Sequence, residues 1–441
     1  MGGIGKTTLA RLIYNDDKLK GRFGLKAWVC VSEDFDVHRI TRAILEQVPT
    51  ENCDKKELTL LQERLKDKLS GQKFLLVLDD IWNEDYELWE NLQRPFLRGA
   101  PGSKIIITTR SENIGKMMRG NDRVHHLSLL EDDACLSLFA QHALGAENFD
   151  AYPDLKGVGE KIVEKCKRLP LAIKTLGGLL RGKAHHAEWE NILNSEIWDL
   201  PAGNGSILPA LKLSYNHLPS HLKRCFGYCS IFPKHYEFDE GELVLLWMAK
   251  GLLQQQPQRT KKVKGLGHQY FRDLLSRAFF QRSSWDESLF VMHDLIVDLA
   301  LHVVGGMCHT LELDGNISDI SLQRVHHLSF FPCEYEVSKR FEFLERKRNL
   351  CTFLQLKDSR LDGWVHNFLS NTLLQDLMGL KCLRVLSLRK YSIKKVSNSI
   401  GDLKHLRFIN LSGTQIKSLP ESVGYLLYLQ SLLLRDCYNF S

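Results

Sequence analysis

Two hydrophobic patterns divide the chain. Up to about residue 125, short continuous apolar runs alternate with stretches of helical spacing: Ala27-Trp28-Val29-Cys30-Val31, Phe74-Leu75-Leu76-Val77-Leu78 and Lys104-Ile105-Ile106-Ile107-Thr108-Thr109-Arg110. Apolar runs without polar alternation belong to strands buried on both faces, and helices between them predict a parallel sheet covered on both sides. From about 126 to 300 the strand signal fades and helical spacing takes over, as in Ala134 to Ala140 and Leu243 to Ala249. The turn-rich stretch Pro201-Ala202-Gly203-Asn204-Gly205 separates one helical unit from the next.

The last part repeats itself. Leu383, Leu386 and Leu388 recur as Leu406, Ile409 and Leu411 and again as Leu429, Leu432 and Leu434, an offset of 23 each time. Ile393, Val396, Ile400 and Leu403 recur at the same offset as Ile416, Leu419, Val423 and Leu426. Amphipathic helices repeat every 3.6 residues and would not hold this register, whereas a period of 20 to 29 is that of leucine-rich repeats. Such units bury their apolar faces only against one another, which predicts a stacked solenoid with a strand-lined concave face. Irregular matches at Val325-x-x-Leu328-x-Phe330 and Cys351-x-x-Leu354-x-Leu356 extend the array backwards.

Chemistry concentrates at the start of the chain and at two strand ends. Gly2-Gly3-Ile4-Gly5-Lys6-Thr7-Thr8 reads as a phosphate loop: glycines let backbone amides close around phosphate oxygens, Lys6 adds a point charge, and the Thr7 hydroxyl reaches a magnesium ion. Asp79, after the run Phe74 to Leu78, is the carboxylate expected opposite Thr7 on that ion, and Asp80 is the candidate base. Nucleotides bind parallel sheets at the carboxyl ends of the strands, where Asp79, Asp80 and Arg110 all fall. The full loop pattern begins with a glycine four positions before Gly5, ahead of Met1, so the sequence reads as a fragment of a longer protein.

Composition narrows the setting. With 44% hydrophobic and 25% charged residues in 441, the chain is long enough for about three domains with cores of their own. No apolar run reaches the roughly 18 residues that span a bilayer, and no secretory signal opens the chain. Eleven cysteines with no Cys-x-x-Cys pair favour a reducing, cytoplasmic compartment. Cys225 and Cys229 share a helix face without a second ligand pair, so they read as core residues. Lys and Arg exceed Asp and Glu by 59 to 53, and the basic clusters at Lys261-Lys262-Val263-Lys264 and Arg346-Lys347-Arg348 lack interleaved aromatics, so nucleic acid is not expected as a partner.

The order of these motifs resembles plant intracellular immune receptors with an NB-ARC nucleotide-binding core and leucine-rich repeats, of the class without a Toll-like domain. The resemblance also rests on Ala27 to Ser32, Thr108-Thr109-Arg110, Leu169-Pro170-Leu171-Ala172, Cys225 to Pro233 and Met292-His293-Asp294. Trp82, soon after the acidic pair, resembles the coiled-coil class in particular. It implies a multidomain α/β fold: a P-loop NTPase domain with a parallel sheet at 1–125, a helical domain at 126–200, a winged-helix domain at 201–310 and truncated leucine-rich repeats at 311–441.

It further implies ADP or ATP with Mg2+ at one site. Gly3, Ile4, Gly5, Lys6, Thr7 and Thr8 would hold phosphate, Thr7 and Asp79 the magnesium, and Asp80 would lie near the attacking water. Arg110 would sense the γ-phosphate, Pro170 would line the adenine pocket, and His293 would touch the β-phosphate of ADP; without the resemblance, His293 reads equally as a histidine capping a helix. The implied function is a switch in plant defence and the hypersensitive response. Its repeats would meet a pathogen effector or a modified host protein, and the activated form would be a homo-oligomer. Two departures stand out: the absent first loop glycine, and Arg168 where the family carries Gly. An ATPase whose turnover is the function and a nucleotide-independent scaffold are the competing expectations.

Overall fold

The computed structural model describes residues 2–31, 35–47, 57–119, 124–199, 208–253, 260–283, 286–311, 323–332, 335–336, 338–357 and 367–440. The turn-rich stretch 201–205 and Ser32 lie outside them. Contacts divide the chain into two compact units, Met1–Ser195 and Glu196–Ser441.

The first unit is built on three parallel strands, β1 (Leu25–Cys30), β2 (Phe74–Ile81) and β3 (Lys104–Thr109), in that spatial order. The three apolar runs are the three strands. β2 is central and buried along its whole length, as expected of a run with no polar alternation, while β3 at the edge keeps Ile105, Ile106 and Ile107 half-buried. Helices α1 (Lys6–Tyr14), α2 (Val37–Glu46), α3 (Leu58–Leu69), α4 (Tyr86–Gln93) and α5 (Glu112–Arg119) accompany the sheet. Asp36 and Asp85 cap α2 and α4 by accepting from the amides two and three residues on, which fixes where each helix begins.

Four helices complete the unit: α6 (Asp132–Ala143), α7 (Pro153–Lys165), α8 (Pro170–Leu180) and α9 (His186–Leu193). They close around Phe139, Phe149 and Trp189, whose rings meet at 5.4 to 6.4 Å.

The second unit opens with α10 (Pro209–Asn216), α11 (Ser220–Tyr228), α12 (Glu240–Lys250) and α13 (Thr260–Ser276). A short antiparallel pair, β4 (Gln281–Arg282) with β5 (Phe290–Val291), then leads into α14 (Asp294–Val304). The pair is the wing, and Phe238, Phe271, Phe280 and Phe290 pack beneath it with ring centroids about 5 Å apart. Cys225 and Cys229 are buried here, and burial pushes the Cys225 thiol up to about 12, the behaviour of protonated core groups.

The solenoid follows as one six-stranded parallel sheet of β6 (Cys308–Leu311), β7 (His327–Phe330), β9 (Thr352–Gln355), β11 (Val385–Ser387), β12 (Phe408–Asn410) and β13 (Ser431–Leu433). Beside it lies a two-stranded pair of β8 (Tyr335–Glu336) and β10 (Phe368–Leu369). Leu386 faces Ile409, and Ile409 faces Leu432, so the 23-residue offset is the rung spacing of the sheet. The irregular motifs at 325–330 and 351–356 supply β7 and β9. Leu383, Leu386, Leu403, Leu406 and Ile409 share one buried core.

The first rungs are bonded to the winged-helix part. Thr310 Oγ1 donates to the Ile231 carbonyl at 3.1 Å, the Ser329 hydroxyl donates to the same carbonyl, and Tyr228 stands edge-on to His327 with centroids 5.5 Å apart. Burial, with help from Lys250, His326 and Arg384, holds the His327 imidazole down at about 3. Because the folded value lies below the ordinary 6.5, the unfolded chain takes up a proton that the folded chain refuses, and stability falls as pH drops from 6.5 towards 3. Lowering the pH from 7 to 5 is expected to cost about 2 kcal/mol through this group. Urea unfolding of His327→Gln at the two pH values should show a correspondingly smaller loss.

Candidate functional site

The loop of the first unit turns on two glycines in left-handed backbone, Gly3 (φ 75) and Gly5 (φ 105), and Gly5 is the residue from which α1 starts. A side chain at either would strain the turn. Lys6, Thr7 and Thr8 therefore occupy the first turn of α1, where unpaired backbone amides and the helix dipole favour an anion. The Leu171 amide donates to the Gly3 carbonyl at 3.3 Å, which ties the start of α8, with Pro170 at its first position, directly to the loop.

Asp79 and Asp80 do not follow β2 as their position after the apolar run implies; they lie inside its last turn of chain. Leu78 pairs with Ile107 and Ile81 with Thr109, so β2 carries one extra residue over this stretch, a bulge that re-aims both carboxylates. Asp80 takes up the bend with φ 57, a conformation a non-glycine residue adopts at some cost and one that concentrates at functional sites.

Thr108 holds the pair. Its hydroxyl donates to Asp79 Oδ1 at 2.5 Å and accepts from the Asp80 amide at 2.9 Å, while Thr7 Oγ1 donates to the same Asp79 oxygen at 3.0 Å. Thr7, Asp79 and Thr108 thus meet at one point, and all of their facing atoms are oxygens. That donor set suits a small hard cation such as Mg2+, so these residues fit the ion expected between Thr7 and Asp79. Sequence reading took Arg110 from Thr108-Thr109-Arg110 and passed over Thr108. The signal was present: Thr108 stands at the carboxyl end of the same run, where residues of a nucleotide site gather in a parallel sheet.

Arg110 follows β3 and pairs with Asp80, Nη2 to Oδ2 at 3.3 Å. Its guanidinium also lies over the Trp82 ring, 4.6 Å from the centroid. The residue expected to sense phosphate is thus positioned beside the candidate base by a carboxylate and an aromatic face.

His293 belongs to the second unit. It caps α14: its Nδ1 accepts from the Leu295 amide at 3.2 Å. A ring nitrogen that accepts carries no proton, so the neutral ring is protonated at Nε2 and presents a donor there, the form a phosphate oxygen requires.

Comparison with known proteins agrees with this layout. Residues 1–148 match the NB-ARC domain, and residues 231–300 match the disease resistance protein winged helix domain. The chain belongs to the plant disease resistance proteins. Disease resistance protein RGA2 of Solanum bulbocastanum is 42% identical over 303 residues, 68% of this chain and 31% of its own. Disease resistance RPP13-like protein 4 of Arabidopsis thaliana is 31% identical over 380 residues, 81% of this chain and 44% of its own. Another Arabidopsis thaliana relative is 42% identical over 90% of this chain but 37% of its own length, so the chain spans about a third to under half of the relatives it matches. As in that family, the first sheet is a P-loop nucleotide-binding domain, followed by a winged helix and leucine-rich repeats. Among the described residues no helix is long and apolar enough to cross a membrane.

The departure from the family pattern at Arg168 has a structural consequence. Lys167 and Arg168 both adopt left-handed backbone (φ 51 and 55) just before Leu169-Pro170, and Arg168 reaches Asp132 at 2.7 Å. The strain costs about 1–2 kcal/mol, whereas a largely exposed ion pair contributes about 0–1. Arg168→Gly is therefore expected to raise stability by up to about 1 kcal/mol, and Arg168→Ala, which keeps the strain and loses the pair, to lower it slightly. Urea melts of the three chains would rank them.

Proposed function

We propose that the chain is the nucleotide-controlled core of a cytoplasmic plant immune receptor, held at rest by ADP and activated by exchange for ATP. The observation that carries this reading is the meeting of Thr7, Asp79 and Thr108 beside a glycine loop that opens a helix. In it, the loop amides and Lys6 hold the β-phosphate, Thr7 and Asp79 hold Mg2+, Pro170 borders the base, and His293 donates from Nε2 to the β-phosphate of ADP. Bound Mg2+ supplies charge neutralisation at the phosphates. Arg110 reads the γ-phosphate because a planar guanidinium forks onto phosphate oxygens.

Energetics assign the repeats a share. Moving a two-state equilibrium from 1:99 to 99:1 takes about 5.5 kcal/mol of differential binding, and one charge-assisted contact supplies about 1.5–3. The repeats supply the remainder by clamping the resting form until a pathogen effector or a modified host protein engages them, after which the released core assembles with copies of itself.

An ATPase working by turnover is the second reading, and Asp80 is its base. The pairing of Asp80 with Arg110 favours the switch, since the candidate base is engaged by the residue assigned to read the γ-phosphate. Fewer than one turnover per minute is expected.

Replacing His293 with Ala is expected to speed release of labelled ADP about 10-fold or more, the loss of one charge-assisted contact. Unchanged ADP release would remove His293 from the nucleotide site.

A further inference from the structure

The second unit contains a cleft of about 630 Å3 between the first turn of α12 and the carboxyl ends of the repeat strands. Its repeat wall carries a row of charge written into the motif itself. Lys357 follows Leu356, Arg389 follows Leu388, Ser412 follows Leu411 and Arg435 follows Leu434, so the residue just past the last motif leucine is cationic on three of four successive rungs. Neighbouring rungs of a parallel sheet lie about 4.8 Å apart, which makes these side chains one continuous band.

The opposite wall carries three carboxylates, Glu237, Asp239 and Glu242. Glu242, in the first turn of α12, is enclosed mostly by protein and sits within the field of Arg389, Lys357 and Arg435. Burial, with the charge of Asp239 beside it, raises its pKa all the same, opposed by those three cations. Two other acids of the lining have local duties: Asp239 caps α12 by accepting from the Glu242 amide at 2.7 Å, and Glu237 accepts from the Ser283 hydroxyl at 2.6 Å. Asp436, the fourth, occupies a left-handed turn after Arg435 (φ 56), and Lys264 and Lys390 add two more cations. The three cations of the band thus act together on Glu242 beside an opening large enough for a peptide segment.

We propose that this band recognises an acidic segment of a partner protein, for which Glu242 is the internal competitor. The proposal rests on the reading that the repeats are the recognition surface, and it specifies the chemistry that they take. Partner carboxylates pair with Arg389 and Arg435, while the apolar wall formed by Tyr236, Leu245, Leu433 and Tyr438 excludes water around the pairs.

The test uses the full chain and a fluorescein-labelled decaglutamate peptide, with binding read by anisotropy at several salt concentrations. Arg389→Gln with Arg435→Gln is expected to weaken binding at least 10-fold, and a control that removes two charges from α7, Lys161→Gln with Lys165→Gln, less than 2-fold. Glu242→Gln is expected to tighten binding several-fold, because the cations remain and their competitor is gone. Equal losses in the double variant and the control would reduce the effect to general charge attraction and overturn the proposal, as would weaker binding by Glu242→Gln. Inorganic tripolyphosphate that binds the same residues far more tightly than the peptide would overturn it in favour of a phosphate site. Nucleotide content measured on the same samples separates the two readings: retained ADP with a peptide indifferent to Arg389 and Arg435 sinks this inference alone, and empty protein with a responsive peptide sinks the nucleotide switch alone.

Discussion

Thr108→Val is expected to destabilise the first unit by about 2–4 kcal/mol and to abolish magnesium-dependent nucleotide binding. The substitution changes little in volume but removes a hydroxyl that works in both directions, donating to Asp79 and accepting from the Asp80 amide. Asp79, Asp80 and Thr108 are all buried, so water does not replace the lost partner, and each stranded group costs about 1–3 kcal/mol. Asp79 keeps its bond from Thr7, which places the expected total below the sum of two full penalties. Thr108→Ser retains the hydroxyl and should restore both stability and binding. Urea unfolding alongside nucleotide titration with and without Mg2+ separates the two effects; a valine variant as stable and as competent as the parent would show that Thr108 does not hold the acidic pair.

Lys6→Ala is expected to weaken nucleotide retention between about 10- and 150-fold with little change in stability, the value of one charge-assisted contact. Lys6 stands at the first position of α1, after a glycine in left-handed backbone, and is only half-buried. Equilibrium dialysis against labelled ADP measures the loss. A scaffold indifferent to nucleotide would show no change in dialysis or in partner binding, which is how the third expectation is distinguished.

Much of this arrangement was legible in the residues, for identifiable reasons. A strand buried on both faces has to be apolar throughout, so β1, β2 and β3 announce themselves as runs, and the strict 23-residue offset is imposed by rungs that stack in register. Glycines at positions 3 and 5 advertise the loop because only they turn left-handed without strain. The bulge at Asp80 was not legible: it depends on pairing between β2 and β3, and nothing local in Leu78-Asp79-Asp80-Ile81 requires an extra residue there. Thr108 was overlooked because a hydroxyl carries no charge to draw attention, although its importance comes from the buried groups it joins. The stacking of Arg110 on Trp82 is likewise tertiary, since the two residues come from different strand ends.

Arg168 shows the opposite case, a residue whose oddity was visible in the sequence and whose cost became visible only in the backbone. Arg168, left-handed two residues before Pro170, belongs to the turn that delivers α8 to the phosphate loop, so strain there bears on where α8 meets that loop.

The central claim is that this chain rests with a diphosphate in the loop of its first unit. Denaturing the purified protein and identifying the released nucleotide by ion-pair chromatography tests it most directly: close to one ADP per chain is the predicted result, and protein that releases no nucleotide and binds none when ADP and Mg2+ are supplied would contradict the account.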